Sequence, residues 1–403
     1  MPVAFRFGVV YLTLFSLATQ ISGSLIPNPW FTYRGLGRLW PMREITHWVA
    51  RTFFGVDVPL DDVSGGETLF FWIQWVWLLV ASVVITAVWS LLARRRRYSP
   101  WVPWLRLAVR VLLAASMLEY GMTKVIPTQF PAPPLTALVT PAGEMTLSAL
   151  LWTTIGSAPA YQIATGCVEV LAGVLLLLPW TVPLGAILAL VSLLQVLLLN
   201  LTFDIGVKLV TAHLIVLAVI LLVPAIRLKT DTTLEVRLKA DTTIGRLLPV
   251  ALGVYLLATQ AWINWNFWHV AAGGRAPSVL YGIWNVERLT VDGAARPAES
   301  NDYDRRWRRV IFEKEAELVI QRTDDSFARY GLAVERSSGT LTLTKGTSRR
   351  WSSRLTYDRT SEDQMTLAGE IDGQRIDAAL RRVDPSAFPL LNSGFRWVRP
   401  HDP

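Results

Sequence analysis

Residues 118–134 read LEYGMTKVIPTQFPAPP, the end of an apolar run that carries Glu119 and Lys124 before it breaks into a proline-rich loop. The segment at 101–123 is long enough to cross a bilayer, which takes about 20 mostly apolar residues. Ionised groups in lipid are costly, so Arg110, Glu119 and Lys124 belong inside a helical bundle or a wet cavity rather than against acyl chains. The stretch therefore predicts a membrane bundle with a polar interior.

Composition agrees. The chain has 403 residues, 52% hydrophobic and 17% charged, and the charges are unevenly spread. Between positions 111 and 226 only Glu119, Lys124, Glu144, Glu169, Asp204 and Lys208 are ionised at neutral pH, whereas positions 275–402 hold 21 Lys/Arg against 19 Asp/Glu. One chain thus combines an intramembrane part with a water-facing part. The +8 net charge does not mark a nucleic-acid binder, because its densest cluster is the four arginines at 94–97 between two apolar runs, and the C-terminal region is nearly balanced with no basic stripe. Cys167 is the only cysteine, so no disulfide within the chain and no multi-cysteine metal site is expected. His47, His213, His269 and His401 form no spaced ligand pair, and no metal is implied.

Seven segments qualify as spans: 7–27, 69–92, 101–123, 160–180, 183–203, 206–226 and 247–267, the fourth and fifth joined by a tight TVP hairpin at 181–183. The partly apolar stretch 136–159 reads as re-entrant or interfacial. The first segment is read as a retained helix rather than a cleaved signal, since Arg6 is its only N-terminal charge, although SGS at 22–24 resembles a cleavage site. The positive-inside rule, applied to the arginines at 94–97 and to Arg227, Lys229, Arg237, Lys239 and Arg246, puts the N-terminus in the cytoplasm of a bacterial-type inner membrane and the C-terminal domain outside. Trp30, Trp40, Trp48, Trp72, Trp75, Trp262, Trp265 and Trp268 then form an outer aromatic belt. Residues 227–246, RLKTDTTLEV followed by RLKADTTIGR, are a tandem duplication too short for a solenoid and read as a solvated loop.

From Ser278 the pattern alternates apolar and polar. LTLTKG, RLTYDR, MTLAGEIDG and RIDAALRRVD are short strands, VIFEKEAELVIQ is a hairpin arm pair, and the Asp-Gly of GEIDGQRI is a two-residue hairpin turn. About eight strands predict an antiparallel meander, closed as a small barrel or folded as a sandwich, with Trp284, Trp307, Trp351 and Trp397 inside.

Within the bundle, Arg106, Arg110, Met117, Gly121 and Lys124 share one helix face, and Gly166, Glu169 and Gly173 share another. Arg110 lies about 13 Å and Glu169 about 16 Å from the inner ends of their helices, which predicts a buried Arg110–Glu169 pair. Asp204 and Lys208, four apart, pair with each other. Lys124 is then left free to hold a ligand with Asp204, Lys208, Gln129 and Tyr161; the alternative is a lysine that snorkels to interfacial water. Gly121, Gly166 and Gly173 permit close helix approach.

At these residues the chain resembles the DoxX-like family of integral membrane proteins, through RVLLAASMLEYGMTKVIPTQF, GCVEVLAGVLLLL and NLTFDIGVKL. The family pattern is matched by Arg110, Gly121, Lys124, Gly166 and Glu169. The resemblance covers residues 101–226 and implies a four-helix membrane core. Some members of the family are linked to membrane redox systems, among them a protein similar to a subunit of thiosulfate:quinone oxidoreductase. The expected organisation is two N-terminal helices with an outer loop (1–100), the DoxX-like core (101–226), a cytoplasmic loop (227–246), a seventh helix (247–270) and an extracytoplasmic β-rich domain (271–403). The expected function is an accessory of a quinone-linked redox system, with membrane lipids and a membrane or periplasmic redox partner. The alternative is a non-enzymatic envelope protein that handles a lipid or small solute, or a transporter. No catalytic residue is assigned.

Overall fold

The computed structural model describes residues 2–27, 35–59, 67–92, 102–227, 243–270, 279–298, 302–303, 305–313, 316–346 and 348–392. The arginines at 94–97, the body of the tandem repeat, Trp30, Trp397 and His401 lie outside them. Two compact units divide the chain: Met1–Phe130 with Ala158–Trp268, and Pro131–Ser157 with His269–Pro403.

The first unit is helical. It contains α1 (Pro2–Ala18), α2 (Gln20–Gly23), a 3-10 turn (Leu36–Arg38), α3 (Met42–Val49) running into a π turn (Ala50–Phe54), and α4 (Leu69–Leu92) and α5 (Val102–Val125). After residues that belong to the other unit come α8 (Pro159–Leu177), α9 (Val182–Thr202), α10 (Lys208–Arg227) and α11 (Thr243–Val270). Among the described residues, α4, α8 and α9 are long and apolar enough to cross a membrane. By the same measure α1 and the Lys208–Val223 part of α10 are apolar but shorter, and α5 carries four charged residues. Proline in the first turn starts both α8 and α9, where a missing N–H costs nothing. The expected hairpin between them is closed by Thr181, whose hydroxyl donates to the Leu175 carbonyl at 2.7 Å. Leu113, Leu118, Leu176, Ala186, Ala189 and Leu214 centre the apolar core.

The second unit holds α6 (Leu135–Val139), α7 (Leu147–Ser157) and the strands β1 (Gly282–Val291), β2 (Ala294–Ala295), β3 (Trp307–Phe312), β4 (Glu317–Arg322), β5 (Phe327–Glu335), β6 (Thr340–Lys345), β7 (Ser348–Asp358), β8 (Gln364–Ile371) and β9 (Gln374–Arg382), followed by α12 (Pro389–Asn392). Each of β3 to β9 pairs antiparallel with its neighbour in sequence, and β1 pairs with both β3 and β9. Eight strands therefore close into an up-and-down barrel, β2 being a two-residue extension of the β1 edge. Closure resolves the choice between barrel and sandwich left open by the strand pattern. An eight-stranded barrel has an interior just wide enough for side chains to fill, and here Trp284, Phe312, Leu341, Leu343, Leu355 and Leu380 fill it. Trp284 and Trp307 are buried as expected, and Trp351 packs against the same cluster. The Asp-Gly turn between β8 and β9 has positive φ at both Asp372 and Gly373, the geometry that matches strand twist in a two-residue hairpin.

The stretch read as re-entrant or interfacial splits into α6 and α7 and belongs with the barrel, so the contiguous 101–226 core is interrupted at 131–157. Leu135 packs with Ile283, Ile311 and Val319 on the outside of the barrel. The carboxylate of Glu313, after β3, accepts from the backbone N–H groups of Leu135 (3.1 Å) and Thr136 (2.8 Å), satisfying donors that the first turn of a helix leaves open.

Candidate functional site

The geometry of the helical unit starts from three glycines. A Cβ on Gly121 would lie 2.7 Å from the Val170 backbone nitrogen, one on Gly166 2.7 Å from the Lys124 Cβ, and one on Gly173 3.1 Å from the Ala114 carbonyl oxygen. The α5 and α8 backbones are therefore in direct contact along this stripe, an approach that only small residues permit.

That contact sets the antiparallel register and decides the ion pairs. Lys124, one turn beyond Gly121, meets Glu169, one turn beyond Gly166: Nζ lies 2.6 Å from Oε2, and both side chains are at most a tenth exposed. Ser192 of α9 adds a longer contact to Oε1 at 3.4 Å. The expected Arg110–Glu169 pair is thereby corrected. Arg110 instead falls opposite the end of α8, where its guanidinium donates to the carbonyls of Leu176 and Leu177. Those carbonyls have no partner within their own helix, and a cation at that end is favoured by the helix dipole.

The expected ligand set does not assemble. The Lys124 ammonium is committed to Glu169, so it is neither free nor snorkelling. Lys208 pairs with Asp204 as expected, at 2.5 Å, on the turn before α10, and holds the Asp204 carboxyl below the usual range. Asp204 itself is exposed. Gln129 accepts from the Thr123 hydroxyl at 3.3 Å, and Tyr161 accepts from Gln195 of α9 at 3.0 Å. Among the described residues no hydrogen bond or ion pair joins Lys124 to Asp204, Lys208, Gln129 or Tyr161.

A different polar region does assemble. Gln20 and Ser24, one turn apart, face consecutive residues of α5: the Gln20 amide donates to the Tyr120 hydroxyl at 2.6 Å, and the Ser24 hydroxyl donates to the Glu119 carboxylate. Ser116 lies 3.4 Å from the same Ser24 oxygen. Gln20 also lines a small cleft of about 40 Å³, with Thr19, Arg38, Glu67 and Gln74 on its polar side and Phe15, Phe71, Leu78 and Leu209 among its apolar walls. Arg38 sits over the Phe71 ring at 5.0 Å. Glu67 accepts from the N–H groups of Leu209 (2.7 Å) and Val210 (2.8 Å) at the start of α10. Burial pushes its carboxyl above the usual range against those two bonds.

One wall is pinned by a hydrogen-bonded chain. Trp75 Nε1 donates to the Tyr11 oxygen at 2.8 Å, and Tyr11 meets His213 Nε2. His213 Nδ1 faces the Leu209 carbonyl at 2.7 Å, which can only accept. A neutral His213 therefore carries its proton on Nδ1 and accepts a hydrogen bond from the Tyr11 hydroxyl at Nε2. Sequence reading missed this network and the cleft, because their members come from α1, α2, the Leu36–Arg38 turn, α4 and α10. The available signal was the polar character of Gln20, Ser22 and Ser24 in an otherwise apolar first segment.

The chain is similar to Uncharacterized protein YwoB of Bacillus subtilis (strain 168), 36% identical over 116 residues that cover 28% of this chain and 71% of that protein. The chain belongs to the family of YwoB. No protein-family model and no solved structure matches it. Membership carries no activity with it, since that relative's name states none.

Proposed function

We propose that the helical unit is a membrane-embedded binding protein for a small amphipathic molecule, held in the cleft beside Gln20, with quinones the first class to test. One observation carries this reading: the cleft sets Gln20, Arg38 and Glu67 beside aromatic and aliphatic walls, the combination of a few polar groups with an apolar lining that small-molecule sites use. The apolar body of the ligand lies against Phe15, Phe71 and Leu78, and its polar head meets Gln20 and Arg38. The same reading takes the seven segments as spans of an inner-membrane protein with a DoxX-like core, N-terminus inside and barrel outside. The three strongly apolar helices and the basic clusters between spans support that topology.

An accessory role in a quinone-linked redox system is the second reading. Its specific support is the Gln20–Tyr120 contact beside Glu119, which sets titratable groups next to the cleft, as proton-coupled quinone chemistry requires. Electrons would come from a partner protein. Mass spectrometry of gently solubilised protein tests the binding step, comparing wild type with Gln20→Leu and with Val207→Trp, an enlargement of another lining residue that fills the cleft. A quinone or other defined amphiphile enriched in wild type and depleted in both variants is expected. Identical bulk phospholipid in all three samples would overturn the cleft as a ligand site.

A further inference from the structure

The helix α7 (Leu147–Ser157) carries no charged residue, and its side chains are apolar or small and neutral. On its helical wheel Leu147, Leu150, Leu151 and Thr154 share one face. Leu147 is 56% exposed and Leu150 and Trp152 are each 36% exposed, while Ile155 and Gly156 in the last turn are buried. Gly156 is in backbone contact there, its would-be Cβ falling 2.2 Å from the Pro131 carbonyl oxygen. A helix on a water-facing domain ordinarily turns a polar face outward; this one turns out leucines.

Chain continuity says what covers them. α7 ends at Ser157, and α8, one of the three helices apolar enough to cross a membrane, begins at Pro159. A single residue separates them, so α7 cannot stand away from the surface at which α8 enters the bilayer. We infer that α7 is an interfacial membrane anchor of the barrel-containing unit, lying along the bilayer surface with Leu147, Leu150 and Leu151 in the boundary between headgroups and acyl chains. The partner is the phospholipid interface itself, entered to about 5–10 Å as other interfacial helices do. On its other side the anchor's segment is tied to the barrel, because Glu313 holds the N-terminus of α6 and Leu135 packs on Ile311 and Val319. A lipid-bound α7 therefore links barrel and bilayer through protein contacts that lie within one unit. The inference rests on reading α8 and α9 as membrane spans.

Spin labels on the full chain in phospholipid nanodiscs test it. In a Cys167→Ser background, labels are placed singly at Leu147→Cys, Leu150→Cys, Leu194→Cys on the exposed apolar face of α9, and Thr360→Cys on the barrel. Collision rates with oxygen, which concentrates in lipid, are compared with those of a water-soluble nickel complex. The ratio at positions 147 and 150 is expected to be several-fold higher than at 360 and to approach that at 194. A lipid-like 194 with water-like 147 and 150 overturns the anchor and leaves the spans intact. A water-like 194 overturns the spans and the anchor with them. Dipolar broadening at 147 or 150 that vanishes on dilution with unlabelled protein means that a second copy covers the face, and also overturns it.

Discussion

The α5–α8 seam and the barrel interior are both tightly packed, yet they reserve opposite kinds of residue for the centre. The barrel buries Trp284, Phe312, Leu341, Leu343 and Leu355 and leaves most of its charged residues outside. The seam buries Lys124 against Glu169, and leaves Val168, Leu171, Leu184, Val191 and Leu198 exposed on neighbouring helix faces. In water the apolar side chain gains by burial; in lipid that gain vanishes, and close packing and polar contacts between helices take its place. The two interiors should therefore fail differently when perturbed.

The largest effect is expected at the pair. Glu169→Ala strands the Lys124 ammonium in a buried position, which costs about 3–5 kcal/mol. Replacing both partners by apolar residues, as in Lys124→Met with Glu169→Leu, should recover most of that loss, because no charge is left unpaired. Thermal unfolding in detergent reads both. A double variant no more stable than Glu169→Ala would mean that the pair does more than neutralise itself. In the barrel, Leu343→Ala removes a fully buried side chain and should cost about 2–5 kcal/mol with no second substitution able to cancel it so simply. Equal rescue in both places would erase the contrast.

Next in size is the glycine stripe. Gly166→Val drives two methyl groups into Lys124 and the α5 backbone and should cost about 1–3 kcal/mol, or more if the helices separate enough to break the Lys124–Glu169 contact. Gly373→Ala, at φ +78° with open space around it, tests conformation without packing and should cost about 1–2 kcal/mol. A Gly166→Val variant as mild as Gly373→Ala would show that α5 and α8 can move apart freely.

This ordering also explains what the sequence could tell. Eight strands in a meander left barrel and sandwich both open until β1 paired with β9, but strand positions and the Asp-Gly turn were legible, because period-two alternation and a two-residue turn are local signals. The glycine stripe and the pairing of Asp204 with Lys208 were legible for the same reason. Register between two helices is not local. Depth pointed to Arg110 as the partner of Glu169 and put Lys124 near the outer end of its helix, whereas backbone contact at Gly121 and Gly166 is what chose Lys124. The cleft was harder still, since Gln20, Arg38, Glu67 and Val210 are separated by long stretches of chain. Likewise, α6 and α7 looked like a loop of the bundle, because nothing near them announces that Glu313, far downstream, holds the start of α6.

The smallest expected effect concerns Glu67, whose carboxylate meets the backbone at the start of α10. Its carboxyl is raised by burial and lowered by the N–H groups of Leu209 and Val210, and burial dominates. A carboxyl that holds its proton more tightly when folded contributes its full stability below the ordinary carboxyl pKa, and that contribution is lost as pH rises through the raised value. Glu67→Gln mimics the protonated form, with one oxygen to accept and one group to donate. Wild type and variant should therefore melt together near pH 4, the usual carboxyl range being about 4. As pH rises toward neutrality the wild type should fall below the variant, by less than any difference above. A wild type that instead gains on Glu67→Gln with rising pH would mean that the two backbone bonds outweigh burial. Glu67 would then be a charged cap on α10 at the mouth of the cleft, and a cationic head group would suit that end better than a neutral one.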